Sequence, residues 1–169
     1  MGIDLDERYI SYGRARDLEL YCCDAEGLLP HNEGRFDFIV MEHVLEHLVD
    51  LDLELSAVKR LLKPGGYIYA GVPGIKGFSL DYYQFDFLNS LQIMHLYYWN
   101  KDTFLQTMGW FGLHAVKCDE YISAILQPGE AISVNSKINY SEDMLQFLLH
   151  LEKHRLELLK GRYNLVDLK

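Results

Sequence analysis

The stretch from residue 36 to residue 72 leaves this chain little choice of fold. Phe36-Asp37-Phe38-Ile39-Val40-Met41 is a nearly continuous apolar run, the pattern of a strand covered on both faces in the middle of a sheet. Leu48, Leu51, Leu55, Val58 and Leu62 then recur at steps of three and four, which predicts a helix with one apolar stripe turned toward that sheet. Lys63-Pro64-Gly65-Gly66 stops it, because proline cannot continue the helix and a glycine supplies the left-handed turn. Tyr67 to Val72 returns as another strand. Strand, crossover helix and strand make a parallel pair, so the predicted class is α/β with a largely parallel sheet.

The flanking segments extend the same alternation. Met1 to Leu5 reads as the end of a strand. Asp6 to Arg16 reads as a short helix capped by Asp6, with Glu7 in its first turn. Leu18 to Cys23 is the next strand, closed by Asp24-Ala25-Glu26-Gly27 and the loop from Pro30 to Gly34. Beyond Trp99, Asn100 or Asp102 caps a helix whose buried stripe is Phe104, Leu105, Met108 and Phe111, ended by Gly109 or Gly112. Leu113 to Tyr121 and Ala131 to Asn139 are expected to be two strands joined through the turn Gln127-Pro128-Gly129-Glu130, an antiparallel pair at one edge. Ser141, Glu142 and Asp143 open a long helix with Leu145, Leu148, Leu149, Leu156 and Leu159 on a wide apolar face. That face packs on the sheet or meets a second copy of itself.

Composition narrows the partners. A chain of 169 residues with 49% apolar residues has a core of ordinary size for one domain. Its formal charge of −9 gives no basic footprint for phosphate backbones, so nucleic acid is not an expected partner. No apolar run reaches the ~18 residues of a membrane span. Cys22 and Cys23 are adjacent and Cys118 stands alone, so the expectation is buried, reduced thiols in a cytoplasmic protein and no zinc site. Between Pro73 and Trp99 the periodicity breaks, and eight of the 22 residues from Phe78 to Trp99 are aromatic against 13% overall. This segment is either a roof over a pocket for a planar or lipid-like molecule, or a loop packed on the core.

Three acidic positions follow strands: Asp4, Asp24 and the cluster Glu42-His43-Val44-Leu45-Glu46-His47. In an open α/β sheet, ligands bind outside the carboxyl ends of the strands, and an acid after the second strand can accept both ribose hydroxyls. Taken singly, each acid is equally at home as a solvated strand end or a helix cap. Their joint order carries the signal.

That order, with its wording, resembles the class I S-adenosylmethionine-dependent methyltransferases, specifically the ubiquinone-methyltransferase-like types 11, 12 and 23, over about residues 2 to 120. Gly2-Ile3-Asp4-Leu5 is similar to the end of the family's second strand, and Cys23-Asp24-Ala25-Glu26 to its third-strand motif. Phe36 to Leu48 resembles the fourth strand and the turn behind it. Leu61 to Gly66 resembles the turn into the fifth strand, and His95-Leu96-Tyr97-Tyr98-Trp99 with Thr103-Phe104 and Gly112-Leu113 the stretch that follows.

The resemblance implies a Rossmann-like sheet, mostly parallel with an antiparallel edge pair, and S-adenosylmethionine as cofactor. Asp4 and Leu5 would bind the ribose, Asp24 would approach the adenine amino group with the backbone of Ala25 at the ring, and Met41 and Glu42 would complete the cofactor site. The reaction implied is methyl transfer from a sulfonium to an O, N or C nucleophile of a small-molecule acceptor, which needs mainly proximity and alignment. His43, His47 and His95 are the candidate bases, each with capping or packing as its plain alternative. Glu42 and Glu46, on one helix face beside His47, could hold a divalent cation, but a mixed set without fixed spacing is a weak signature and no metal is assigned.

The family's first strand and its Gly-x-Gly loop have no counterpart, since no Gly-x-Gly occurs in the sequence. In the family's strand order, 3-2-1-4-5-7-6, that strand lies between two that are present. The expectation is therefore a domain lacking about its first quarter, with residues 1–139 as a partial methyltransferase domain, residues 73–99 as its aromatic cap or insert, and residues 140–169 as a helical segment on the core or at a dimer interface. Unpaired edges inside a sheet predict a homo-oligomer or a distorted N-terminal portion. The competing reading is a noncatalytic domain kept for oligomerisation or partner binding. An NAD-binding Rossmann protein fits less well, because Pro64-Gly65-Gly66 and the Glu42–Leu48 segment follow the methyltransferase pattern.

Overall fold

The structure, a computed structural model, describes residues 1–77, 86–133 and 141–162. Two short strands open the chain. β1 (Gly2–Asp4) and β2 (Leu20–Cys22) pair in parallel, with Asp4 opposite Cys22, and α1 (Glu7–Arg14) crosses between them. Asp6 caps α1 as expected, its carboxylate accepting from the Arg8 amide, and Ile10 is the buried anchor of the helix. α2 (Ala25–Leu28), capped by Asp24, runs into a tight turn at Leu29–His31.

The second sheet has four strands in the order β3-β4-β6-β5. These are β3 (Phe36–Glu42), β4 (Leu62–Gly71), β5 (Leu113–Cys118) and β6 (Ser123–Pro128). β3 and β4 are parallel, and α3 (Leu51–Leu61) makes the crossover predicted from the leucine spacing. Leu51, Leu55, Val58 and Leu61 of α3 are buried, whereas Leu48 lies before the helix and Leu62 already begins β4. The Lys63–Gly66 stop sits inside the strand as a bulge. Phe36 faces Leu62 but Phe38 faces Tyr67, with Gly65 in the left-handed turn at φ 80°.

The antiparallel edge pair is present, but its second strand is Ser123–Pro128 and not Ala131 onward. The chain reverses earlier than expected. Ser123 N–H donates to Asp119 Oδ1 at 2.9 Å, and Ile122 takes φ 58°. From there Ala124 and Leu126 alternate into the core, so Pro128-Gly129 ends the strand instead of turning a hairpin. Residues 131–133 are not strand, and residues 134–139 of the expected strand lie outside the described residues.

α4 (Lys101–Trp110) carries a full capping box, with Thr103 N–H donating to Asn100 Oδ1 at 2.8 Å and Asn100 N–H to Thr103 Oγ1 at 3.1 Å. Phe104 and Met108 are fully buried, while Leu105 and Phe111 pack at the core's margin. Trp99 meets Phe104 edge-on at 5.7 Å and stacks on Tyr97 at 5.0 Å, so the described end of the aromatic stretch covers the core. α5 (Ser141–Arg162) rests on the turn Phe87–Ser90, with Leu151 buried and Lys76 over the Phe147 ring, while Leu145, Leu149 and Leu156 face solvent. Residues 78–85 of the expected aromatic cap lie outside the described residues.

One expectation fails at the sheet's left flank. β3 is an edge strand, not a strand covered on both faces: Phe38 is 49% and Val40 61% exposed. As the unpaired edges led one to expect, β1 and β3 do not pair, and an open groove of about 360 Å³ separates them, lined by Gly2, Ile3, Phe38, Val40, Met41 and Val44 among others. The thiols also depart from expectation. All three cysteines are unpaired, but Cys22 is exposed and Cys23 and Cys118 are only half-buried, because β2 and β5 are both edge strands.

Asn100→Ala removes both the cap and a buried polar anchor, and is expected to cost about 1–2 kcal/mol in urea unfolding. Asn100→Ser, which retains a capping oxygen, should recover at least half of that loss.

Candidate functional site at the strand ends

Asp4 is the last residue of β1 and Asp24 follows β2 by two residues, and each also does local structural work. Asp4 Oδ1 accepts the Asp6 amide at 2.7 Å, while Leu5 is largely exposed. Asp24 Oδ1 accepts the Gly27 amide at 2.7 Å, and Ala25 is buried beneath it. One oxygen of each carboxylate therefore holds the turn. The other has no hydrogen bond among the described residues. Glu54, on α3, was not anticipated from the sequence: it lines the groove, meets the Ala25 backbone, and is held above the usual carboxylate range by burial and by the Asp24 charge. Only its place on the helix face opposite α2 could have signalled this, and the leucine stripe masks it.

At the end of β3, Met41 is buried and Glu42 lies over Gly71, where a Cβ would overlap its carboxylate. The chain then turns sharply. His43 takes φ 51° while its amide donates to Gly71 O at 2.8 Å, which ties the turn to β4.

The turn brings the three predicted histidines onto one carboxylate. His43 Nδ1 lies 3.1 Å from Glu46 Oε1, and His47 Nε2 lies 3.9 Å from the same oxygen. His95, distant in sequence, meets His47 edge-on with ring centroids 4.8 Å apart. Two bonds hold the partner segment in place: Leu96 N–H donates to Glu46 O at 2.7 Å, and His47 Nδ1–H donates to Met94 O at 2.9 Å. Burial, opposed by the Glu46 charge, sets the His95 pKa below the usual imidazole value, so its ring is neutral near pH 7. Glu46 is 1% exposed, and its Oε2 has no hydrogen-bond partner among the described residues. The sequence singled out the histidines, but not that Glu46 would be their buried hub.

The geometry has two parts: acids at the ends of β1 and β2, and a histidine–carboxylate cluster behind β3. Comparison with known proteins shows what the chain is similar to. Residues 1–70 match a family model described as "Methyltransferase domain". The ubiquinone/menaquinone biosynthesis C-methyltransferase of Cellvibrio japonicus is 39% identical over 66 residues, 39% of this chain and 26% of that protein. The ubiquinone biosynthesis O-methyltransferase of Thiobacillus denitrificans is 30% identical over 74 residues, 40% of this chain and 32% of that protein. Among solved structures, a SAM-dependent methyltransferase of Thermotoga maritima superposes with a TM-score of 0.55 at 20% identity, over 78% of this chain and 68% of that one. The fold is thus the Rossmann-like methyltransferase fold. Over residues 1–70 the chain is similar in sequence to the methyltransferase domain, and the similarity to solved structures is one of fold. It spans between 25% and 32% of the length of the curated relatives it matches.

His47→Phe keeps a ring against His95 but loses the bond to Met94. Amide exchange in residues 94–96 is expected to quicken by about fivefold, the equivalent of one net hydrogen bond of about 1 kcal/mol. Unchanged exchange would show that this bond does not hold the segment.

Proposed function

We propose that this chain carries the nucleoside-binding half of an S-adenosylmethionine-dependent methyltransferase that acts on a small molecule. The observation that supports it most is the pair Asp4 and Asp24. Both fall inside the matched residues 1–70, at the ends of paired strands, and each keeps one carboxylate oxygen outside the local hydrogen bonds. That donor set fits a nucleoside. Asp4 accepts the ribose hydroxyls with Leu5 beside it, and Asp24 receives the adenine amino group with Ala25 flanking the ring. Met41 and Glu42 border the site from β3.

Bound S-adenosylmethionine supplies an activated methyl group for in-line displacement. The chain's own work is to orient the acceptor and take up a proton. His43, His47 and His95 stand together for the second task, and His95 enters it neutral. The acceptor carries an O, N or C nucleophile. Its approach is from the segment that ends at Trp99.

Residues 1–139 would act as the methyltransferase unit and residues 140–169 as a helical segment packed on it. No helix among the described residues is long and apolar enough to cross a membrane, and we place the protein in the cytoplasm. The groove between β1 and β3, with Phe38 and Val40 exposed, favours a homo-oligomer in which a strand of a second copy covers these edges. Light scattering should then give a multiple of the monomer mass; a monomer at all concentrations rejects the second copy as the occupant.

Calorimetric titration with S-adenosylhomocysteine tests the cofactor assignment. Binding to the unaltered chain, weakened at least tenfold by Asp4→Asn and by Asp24→Asn, is the expected result. Asparagine retains the oxygen that caps each turn, so the loss reports the ligand and not the fold. Silence from the unaltered chain at high ligand concentration overturns the assignment.

A further inference from the structure

We infer that Glu54 makes nucleoside binding at Asp24 proton-linked: the site closes on a protonated Glu54, which takes its proton from solvent as the ligand binds. This rests on the placement of adenine at Asp24 and Ala25 argued above. Glu54 stands on α3, which packs on α2, and it lines the groove between β1 and β3. Ala25 and Met41, two residues assigned to the nucleoside, line the same groove, so a base held there meets the wall to which Glu54 belongs. Among the described residues Glu54 is the one charged side chain of that lining, set among Ile3, Leu28, Val44 and Val58.

The surroundings hold Glu54 and Asp24 where their charges oppose each other. Gly27 N–H donates to Asp24 Oδ1 at 2.7 Å, and a Cβ on Gly27 would lie 2.9 Å from Cys23 Cβ, so the turn below Asp24 is tightly closed. α3 is pinned by Leu51, Leu55 and Val58, all buried. The ionisable groups across the contact are acids and a thiol: Asp24 and Glu26 from α2 and its cap, and Cys23 just before them. β1 and β3 face the groove with Ile3, Met41 and Val44. On α3 itself Asp50, one turn earlier, is engaged by the Leu53 amide at 2.9 Å. The Ala25 amide favours the ionised form of Glu54, but burial and the Asp24 charge outweigh it.

A base seated at Asp24 and Ala25 moves this balance further in the same direction. It displaces water from the groove, which makes the charged carboxylate costlier. Its ring nitrogens are acceptors, and they compete for the Ala25 amide on which ionised Glu54 relies. Neutral Glu54 escapes both penalties and can itself donate a hydrogen bond. The proton passes from buffer to one oxygen of Glu54, and no bond of the ligand changes. A group more protonated in the complex makes binding weaker as pH rises through its window, which here lies above the ordinary glutamate value. Folding follows the same sign. A carboxylate held above its unfolded value contributes stability at low pH that is lost as pH rises through its folded value.

Calorimetric titration of the full chain with S-adenosylhomocysteine tests this, at about pH 5.5 and about pH 7.5, in two buffers of different ionisation enthalpy. The unaltered chain is expected to take up protons on binding, and to bind at least about threefold more weakly at the higher pH. Glu54→Gln keeps the shape and stays neutral, so it should take up fewer protons and bind more tightly than the unaltered chain at the higher pH. Without ligand, Glu54→Gln should also melt above the unaltered chain at about pH 7.5 and lose that advantage at about pH 4. Equal proton uptake and equal pH dependence in the two chains overturns the inference and leaves the cofactor assignment standing. So does binding by the unaltered chain with no proton uptake, a result that does not depend on how the variant folds. No binding by the unaltered chain at either pH overturns the cofactor assignment and this inference with it.

Discussion

The parallel ladder between β3 and β4 is the constraint on which the rest of the molecule depends. It sets Val40 opposite Tyr69, Met41 opposite Ala70 and Glu42 opposite Gly71, and β4 in turn is paired on its far side by β6. β4 is therefore an interior strand of the four-stranded sheet, and its Ile68 and Ala70 are fully buried. Once the last rung closes at Glu42 and Gly71, the His43 amide continues the ladder by one more bond to Gly71 O. The chain then has to leave the sheet at once, because Val72 has already turned to bond with Ile122. The left-handed His43 and the tight turn at Leu45–His47 are the geometric result. The histidine cluster exists because a strand ends there and nowhere else.

The other edge of β3 has no such ladder, and this divides the candidate site into two bodies. The β1–β2 pair, which carries Asp4 and leads to Asp24, is not hydrogen-bonded to β3. Helices bridge the gap. α2 packs on α3, with Ala25, Leu28 and Leu29 joined to the same core as Leu51, Leu55 and Val58. The distance from Asp24 to the β3 end is thus governed by side-chain packing and by the Glu54 carboxylate against the Ala25 backbone, not by strand pairing. Packing of a four-residue helix is a softer restraint than a ladder. A strand placed in the groove would supply hydrogen bonds to both edges and convert the soft joint into a rigid one.

What the sequence made legible follows the same physics. Periodicities that report burial against a neighbour close in sequence came through: the leucine stripe of α3, the Asp6 and Asn100 caps, and the parallel β3–β4 pair were all readable. The Phe36–Met41 run misled because it reports what a strand is built to be covered by, not what covers it here, and Phe38 and Val40 stand exposed. The edge hairpin was misread because Pro128-Gly129 looks like a turn in isolation. The true reversal at Asp119–Ile122 relies on an aspartate accepting the Ser123 amide and on Ile122 at positive φ, which no local propensity announces. For the site, residue types were legible and the hub was not. His43, His47 and His95 were identifiable as titratable groups, but their convergence on Glu46 requires the 94–96 segment to fold back through a long-range backbone bond.

That convergence also explains why a carboxylate is tolerated in the core. Leu45 beside it is fully buried, and an apolar residue at position 46 would pack there without an unmet acceptor. Retaining Glu46 costs desolvation that the single described bond from His43 offsets only in part. Structural capping does not account for it, because Glu46 caps no helix and its backbone carbonyl alone secures Leu96. Its Oε1 faces His43 at 3.1 Å and His47 at 3.9 Å; His47 is oriented by a backbone carbonyl, and burial holds the His95 pKa below the usual imidazole value. The cluster therefore reaches from the core to the surface, with His47 39% exposed above a Glu46 that is 1% exposed.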